Sequence, residues 1–448
     1  MKKTKDFTTG SVLGSLIKFA VPVLAAMFLQ SLYGGIDLLI VGQFAETADV
    51  SGVATGSQLM HTVTTVITGL SMGITVYVGQ KIGERKEEEA GRAIGTGILF
   101  FIFLGILLSA LLVIFTTNLS DLLHAPIEAY EQTCSYITVC GYGTLFICMY
   151  NLLGAIFRGI GDSKTPLLTV LIACICNIAG DLIFIAGFGM GAKGAALATV
   201  IAQAGSVLTS LFFIRKKTLP FTFKKEFIRL QPGTLLKELK LGTPIALQEL
   251  LVGISFLVIH AVVNSIDVVA SAGVGVAEKV CAFIMLVPSS FSQSMSAFVA
   301  QNIGAGKSDR ALKALKYGIL TSLCVGVFIG SFSFFKGNLL TAIFTKDMAV
   351  ILQGHEYLKA YAIDCLFTAI LFCCIGYYNG CGNTFFVMTQ GIVGAFCVRV
   401  PYVLLMSLVP GVSLFEIGLG TPLSSIVQII LCMGFMIYLR KTQKQTNL

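Results

Sequence analysis

The stretch Val78-Gly-Gln-Lys-Ile-Gly-Glu-Arg-Lys86 returns 221 positions later as Val299-Ala-Gln-Asn-Ile-Gly-Ala-Gly-Lys307. Arg158-Gly-Ile-Gly-Asp162 and Asn379-Gly-Cys-Gly-Asn383 keep the same offset, as do Tyr136 and Tyr357, while Lys18 and Pro22 against Lys240 and Pro244 shift it by one. One layout is therefore written twice. In a chain this apolar, a repeat at half-length predicts two helical bundles with a route between them, the construction of many secondary transporters.

The 448 residues are 55% hydrophobic and 12% charged, against roughly 45–50% and 25% in soluble domains. Runs long enough to cross about 30 Å of hydrocarbon lie near 19–43, 54–79, 93–117, 135–157, 166–188 and 192–214. The second half repeats them near 242–265, 273–300, 317–336, 357–378, 384–409 and 415–439. The expected fold is an all-α polytopic membrane protein of twelve transmembrane helices in two pseudo-symmetric six-helix lobes. The lobes are expected at 1–214 and 241–448, joined by a linker at 215–240. Six spans per half give both lobes the same orientation.

Basic loops resist translocation, so the placement of Lys and Arg predicts the topology. With both termini in the cytosol, 25 of the 31 basic residues fall on the cytosolic side, eight of them in 215–240. Lys193, Lys336, Lys346 and Lys359 fall outside, and Lys279 and Arg399 lie within hydrophobic runs. Topology thus accounts for the net charge of +8, and no nucleic-acid partner is implied. The linker's charge is read first as a cytosolic retention signal, with contact to anionic lipid as the lesser reading. Glu87, Glu88 and Glu89 beside Arg85, Lys86 and Arg92 predict a short solvated helix. The basic N-terminus runs into a full-length span, expected to be a first transmembrane helix and not a cleaved signal.

Several motifs fail on inspection. The 13 cysteines show no CxxC pair or His spacing and read as small buried hydrophobes. Gly306-Lys307-Ser308 lacks the Gly that a phosphate-binding loop needs at 301, where Gln301 stands. Thr138-Val-Cys-Gly-Tyr-Gly143 occurs once, whereas a potassium filter is built from four strands of backbone carbonyls. No Ser/His/Asp or Cys/His arrangement emerges, and His61, His124, His260 and His355 are scattered. No catalytic residues and no cofactor are expected.

Charge inside a span costs at least roughly 2.5–3.5 kcal/mol by insertion scales and asks for a reason. Asp37 in the first run, Asp181 in the fifth and Thr199 in the sixth share one depth, six or seven residues from the outer end. Asn177 lies one turn before Asp181 on the same face. Two carboxylates, an amide oxygen and a hydroxyl suit a hard cation such as Na⁺ or a proton. An isolated hydroxyl bonded to its own helix is the simpler reading for Thr199 alone. The repeat maps Asp37 to Val258 or Ile259, Asn177 to Val398 and Asp181 to Tyr402, so the second copy manages without the acids. A purely architectural role for them is disfavoured.

The second half offers Glu249, Glu278, Lys279, Asp364 and Arg399. Arg399 needs a partner, with Asp364, Glu249 or carbonyls freed at Pro401 as options, and a structural ion pair is the favoured account of the group. Met72, Met149, Met285, Met295, Tyr33, Tyr150, Phe283 and Phe291 are candidates for an apolar pocket suited to aromatic cations, with ordinary packing the expectation for most. A shorter set, Tyr33, Met149, Met285, Glu249, Asp364 and Arg399, is carried forward as the candidate substrate cavity.

Taken together, the duplicated twelve-span layout, Pro22 with Gln30 and Asp37, Arg158-Gly-Ile-Gly-Asp162, Asn177-Ile-Ala-Gly-Asp181 and Gln301-Asn302 with Gly304 resemble the multidrug and toxic compound extrusion (MATE) family. The resemblance covers nearly the whole chain and lies closer to the DNA-damage-inducible F-like branch. It implies export of drugs and organic cations in exchange for H⁺ or Na⁺ through a cleft between two lobes, in a bacterial cytoplasmic membrane, by a monomer. It places the family's cation site on Asp37, Asn177, Asp181 and Thr199, with Asn151 as a further candidate from the fourth span. Another branch's Glu and Asp of the second half have no clean match here, Glu249 and Asp364 standing about a turn away. Rival expectations are a flippase for lipid-linked precursors, which would need a basic cavity for pyrophosphate, and an ion conduit.

Overall fold

The computed structural model describes residues 7–216, 224–265 and 267–446, and among them there is no strand. Twelve helices in the described residues are long and apolar enough to cross a bilayer: Val12–Phe44, Thr47–Gly83, Glu87–Ile114, Ile127–Gly159, Lys164–Gly187, Gly191–Lys216, Pro232–Asn264, Val268–Gly304, Ser308–Thr341, Met348–Gly380, Thr384–Met406 and Leu414–Thr442. They are called the first to twelfth spans. Most outlast their hydrophobic runs, because polar residues continue a helix past the hydrocarbon. Glu87, Glu88 and Glu89 therefore form the first turn of the third span, where carboxylates oppose the helix dipole, and no separate helix. Likewise Lys336 and Lys359 ride on helices, the first at a kink and the second paired with Glu356 at 2.6 Å. The basic Lys2, Lys3 and Lys5 and linker residues 217–223 lie outside the described residues.

Two compact units emerge. One holds Met1–Gly10, Ile17–Ala246 and Ala300–Lys307, and the other Ser11–Leu16, Leu247–Val299 and Ser308–Leu448. In the first unit the fourth span packs against the second, third and sixth, and the fifth against the sixth. Its apolar core includes Ile74, Phe101, Ile137, Leu152 and Phe157. In the second unit the tenth span packs against the eighth, ninth and twelfth. Large apolar side chains on outer faces, among them Phe103, Leu208, Phe328 and Phe335, are what helices surrounded by lipid tails require.

The duplication extends to single hydrogen bonds. Thr75 Oγ1 donates to the Ala155 carbonyl at 3.0 Å, and Ser296 Oγ to the Gly376 carbonyl at 3.1 Å, 221 positions on in each case. Gly161 and Gly382 both turn with positive φ, +83° and +86°, and Asp162 and Asn383 donate their N–H back to Phe157 and Tyr378 at 2.8 and 2.9 Å. Arg85 and Gly306 occupy the equivalent left-handed position after the second and eighth spans, at +59° and +71°. A Cβ at Gly306 would meet nothing within 4 Å, so Gly306→Ala reports backbone strain alone. Thermal unfolding in detergent should show a loss of about 1–2 kcal/mol, and an unchanged midpoint would contradict this.

The two copies of the opening motif meet. A Cβ on Gly83 would overlap the carbonyl oxygen of Gln301, and a Cβ on Gly304 would overlap that of Gln80, the same contact read in both directions. Gln301 Nε2 then donates to the Gly159 carbonyl at 2.8 Å. Beside this joint Lys307 Nζ donates to the Thr8 carbonyl at 2.7 Å, so the apparent phosphate-loop lysine ties down the N-terminal segment, whose Phe7 is fully buried against Phe19. The described part of the linker is docked as well. Phe227 sits where Gly91 and Gly95 bare the third span, and Thr96 Oγ1 donates to the Arg229 carbonyl at 3.0 Å. Asp162 caps the fifth span, accepting from the N–H groups of Lys164 and Thr165 at 3.0 and 3.1 Å. Asp162→Ala should lower stability by about 0.5–2 kcal/mol, read by the same unfolding assay.

Candidate functional site

The first span presents Gln30, Tyr33 and Asp37 along one face, spaced by three, four and seven residues. Gln30 Nε2 donates to the Tyr150 hydroxyl of the fourth span at 2.6 Å, which sets the rotation of the helix. One to two turns further on, Tyr33 and the buried Tyr136 lie close enough to Asp37 to feel its charge. The carboxylate itself, 7% exposed, faces that of Asp181. The two are within hydrogen-bonding reach of each other when one carries a proton.

Asp181 and Asn177 are 0% and 1% exposed. Asn177 Nδ2 donates to Thr199 Oγ1 of the sixth span at 3.4 Å, which leaves the amide oxygen uncommitted. Asp37 Oδ1, Asn177 Oδ1 and both oxygens of Asp181 are buried without a hydrogen-bond donor among the described residues. Of the four residues expected together from depth and helix face, Asp37 faces Asp181, and Asn177 bonds Thr199 one turn along. Their free oxygens are acceptors with nothing to accept from. Buried acceptors of that kind are costly, and a cation or proton removes the cost.

Asn151 is engaged elsewhere: its amide oxygen accepts from Thr68 Oγ1 at 2.9 Å and its Nδ2 donates to the Ile147 carbonyl at 2.9 Å. Among the described residues its hydrogen bonds do not reach the carboxylates. Immediately after Asp181 the fifth span changes from α to a π-helical turn, Leu182–Gly187. The eleventh span, its counterpart, has a π-turn at Val393–Arg399. Such turns break the i to i−4 ladder and recur at functional positions; no sequence signal announced either.

Among the described residues of the second unit the expected ion pair of Arg399 does not form. The guanidinium, 5% exposed, donates from Nη1 to Ser255 Oγ at 3.1 Å and stacks on Phe256 with its centre 4.4 Å from the ring. Its Nε is buried without a partner. Asp364, equally buried, has a neighbour in Ser425 and feels the charge of Arg399 without contact at ion-pair distance. Glu249 is exposed and is paired with neither. The cost of burying Arg399 is met by a hydroxyl and an aromatic face instead of a carboxylate. Of the apolar candidates, Met72, Met295 and Phe291 are buried in packing, Met295 tightly enough that a side chain at Gly318 would overlap it. Met149, Tyr150 and Met285 lean on the apolar cores, partly buried. Met72, Met295 and Phe291 therefore do not line an open pocket here.

Three residues were given no functional role beforehand. Tyr136 is buried within electrostatic reach of Asp37; Glu238, on the seventh span, is buried with neither carboxylate oxygen partnered among the described residues; and His260 of the seventh span hydrogen-bonds Glu278 of the eighth. Asp37 and Asp181 carried a signal in their position within apolar runs. Glu238 and His260 stand near the ends of theirs, where polar residues are commonplace.

The family model MatE matches the chain twice, over residues 22–183 and 244–405, the second match beginning 222 positions after the first. At that spacing Arg399 stands opposite Asn177, one residue from the Val398 assigned by the shorter offset. The chain is 25% identical over its whole length to probable multidrug resistance protein YoeA of Bacillus subtilis, covering 97% of that protein. It is 27% identical to probable multidrug resistance protein NorM of Thermotoga maritima, over 93% of this chain and 89% of the relative. Among solved structures, an outward-facing multidrug resistance MATE family transporter superposes with a TM-score of 0.92 at 18% identity, over 99% of this chain and 100% of that one. A MATE crystal structure in a bent conformation gives 0.92 at 18% identity, over 100% of both.

Proposed function

Because the chain belongs to the MatE family, matched in both halves, we propose that it is a multidrug efflux antiporter exchanging amphipathic, often cationic compounds for H⁺ or Na⁺. Its relatives are named for multidrug resistance and multidrug export. The observation that carries the exchange is the facing of Asp37 and Asp181, buried and without a cationic partner among the described residues. Asn177 Oδ1 and the Thr199 hydroxyl supply two more oxygens, a set that fits a hard cation and serves a proton equally well.

In this mechanism the vacant carboxylates favour the drug-bound state, and loading them with the coupling ion favours release. A ligand shifts a conformational equilibrium only through its different affinity for the two states. The first span is the element that moves: Pro22 lies inside its helix, and Gly34 and Gly35, one turn before Asp37, have no neighbour within 4 Å of a Cβ position. Tyr33, Met149, Met285, Glu249, Asp364 and Arg399 are assigned to drug contact. The lobes of the mechanism are 1–214 and 241–448, with the linker 215–240 and both termini on the cytosolic face of a bacterial membrane.

The test is ethidium export from oriented proteoliposomes under an imposed pH gradient or an imposed Na⁺ gradient. One gradient should drive uphill movement and thereby name the ion. Ethidium movement indifferent to both would overturn antiport and favour a lipid flippase.

A further inference from the structure

His260 and Glu278 make direct contact between the seventh and eighth spans. His260 is the one histidine with a carboxylate partner among the described residues. His355 meets the Phe334 carbonyl, and His124 that of Leu122. The pair is partly accessible, with side chains 34% and 26% exposed, yet the second carboxylate oxygen, Glu278 Oε1, is buried with no partner among the described residues. Half of this carboxylate is therefore served by imidazole and half by nothing.

Among the described residues no Lys or Arg makes contact with the pair. Tyr357 and Tyr361 of the tenth span feel the charge of Glu278, as does Cys281 one turn along its own helix. Lys279 turns away, over the ring of Phe344 at 6.0 Å. Arg399 of the eleventh span acts on the two tyrosines but is held by Ser255 and Phe256, and Asp364 lies beyond Cys281. With a neutral imidazole the pair carries one negative charge among phenols. With one proton added it is a neutral imidazolium–carboxylate pair.

Position supports a role in coupling. His260 is the residue after Ile259, the counterpart of Asp37 at the spacing of the family match. The second half thus carries, one residue from the equivalent register position of its own repeat, a different ionisable group paired across to a neighbouring helix. Imidazole is a poor ligand for Na⁺, which takes oxygen, and it is the side chain that exchanges protons between about pH 5 and 8.

We propose that His260 and Glu278 form a second proton-binding site, in the second unit, loaded and emptied once per transport cycle. Loading takes one proton from water onto the imidazole, and emptying returns it. The inference rests on the antiport reading and adds that at least one coupled step is protonic, whatever ion binds Asp37 and Asp181.

The test counts protons. Full-length protein in proteoliposomes exports ethidium while a pH-sensitive dye records proton movement across about pH 5–8. His260→Gln and Glu278→Gln should each still bind ethidium, move one proton fewer per ethidium, and lose the wild-type dependence of rate on pH. An unchanged proton count and pH profile overturns the second site while export that fails in Asp37→Asn keeps the antiport reading. Wild-type export driven by Na⁺ without proton movement does the same. Should either variant fail to fold, the wild type decides: with ¹³C-labelled histidine, assigned through His61→Gln, His124→Gln and His355→Gln, the His260 resonance should titrate in that range and shift on ethidium binding. A His260 signal indifferent to both pH and ethidium overturns the inference.

Discussion

Asp37→Asn should reduce gradient-driven export to the level of protein-free vesicles, and Asp181→Asn should do the same, while both variants unfold at or above the wild-type temperature. Two unit charges about 4 Å apart repel by roughly 4 kcal/mol at an effective dielectric near 20. Under the proposed antiport, facing carboxylates that are buried and lack cationic partners among the described residues are the groups that bind the proton or cation. An amide keeps the shape and removes that requirement. It imitates the loaded state permanently, so the variant gains or keeps stability and loses exchange. A purely structural role predicts the opposite pattern, with export retained or stability lost. Unfolding is best followed with a thiol-reactive dye, since the chain has no tryptophan and 13 cysteines, many of them buried.

Gly83→Ala and Gly304→Ala should each be strongly destabilising. Each places a methyl group on a backbone carbonyl, which has no rotamer with which to yield. A loss of about 1–3 kcal/mol or more is expected for either. The double variant should cost little beyond the worse single one, because either methyl already parts the same two segments and contacting residues do not add. Full additivity in thermal unfolding would mean that the two contacts are independent, contrary to the reciprocal geometry of Gly83 on Gln301 and Gly304 on Gln80.

Much of the site was legible because burying a carboxylate in hydrocarbon is expensive enough to show in a single sequence. Asp37 and Asp181 stood out against their runs, helical spacing put Asn177 beside Asp181, and the missing acids of the second copy argued against an architectural role. Arg399 was legible by the same cost, but its partner was not. An ion pair is the usual answer to a buried guanidinium, and here Ser255 and Phe256 supply another, which only the rotation of the seventh span against the eleventh could decide. The apolar candidates were the least legible, since methionine and phenylalanine in a span satisfy lipid, core and pocket alike.

The sequence by itself determined twelve spans, a duplicated layout and the depth at which charge is buried, because hydrophobic length, repetition and insertion cost are properties of order along the chain. Tertiary structure alone decided which groups share that depth across helices. It turned Asp37 toward Asp181 and left Asn151 with Thr68. It set Gly83 and Gly304 on each other's carbonyls and brought His260 to Glu278. Helix rotation and π-turns settle those pairings through the packing of side chains far apart in the sequence, and no local pattern records the outcome.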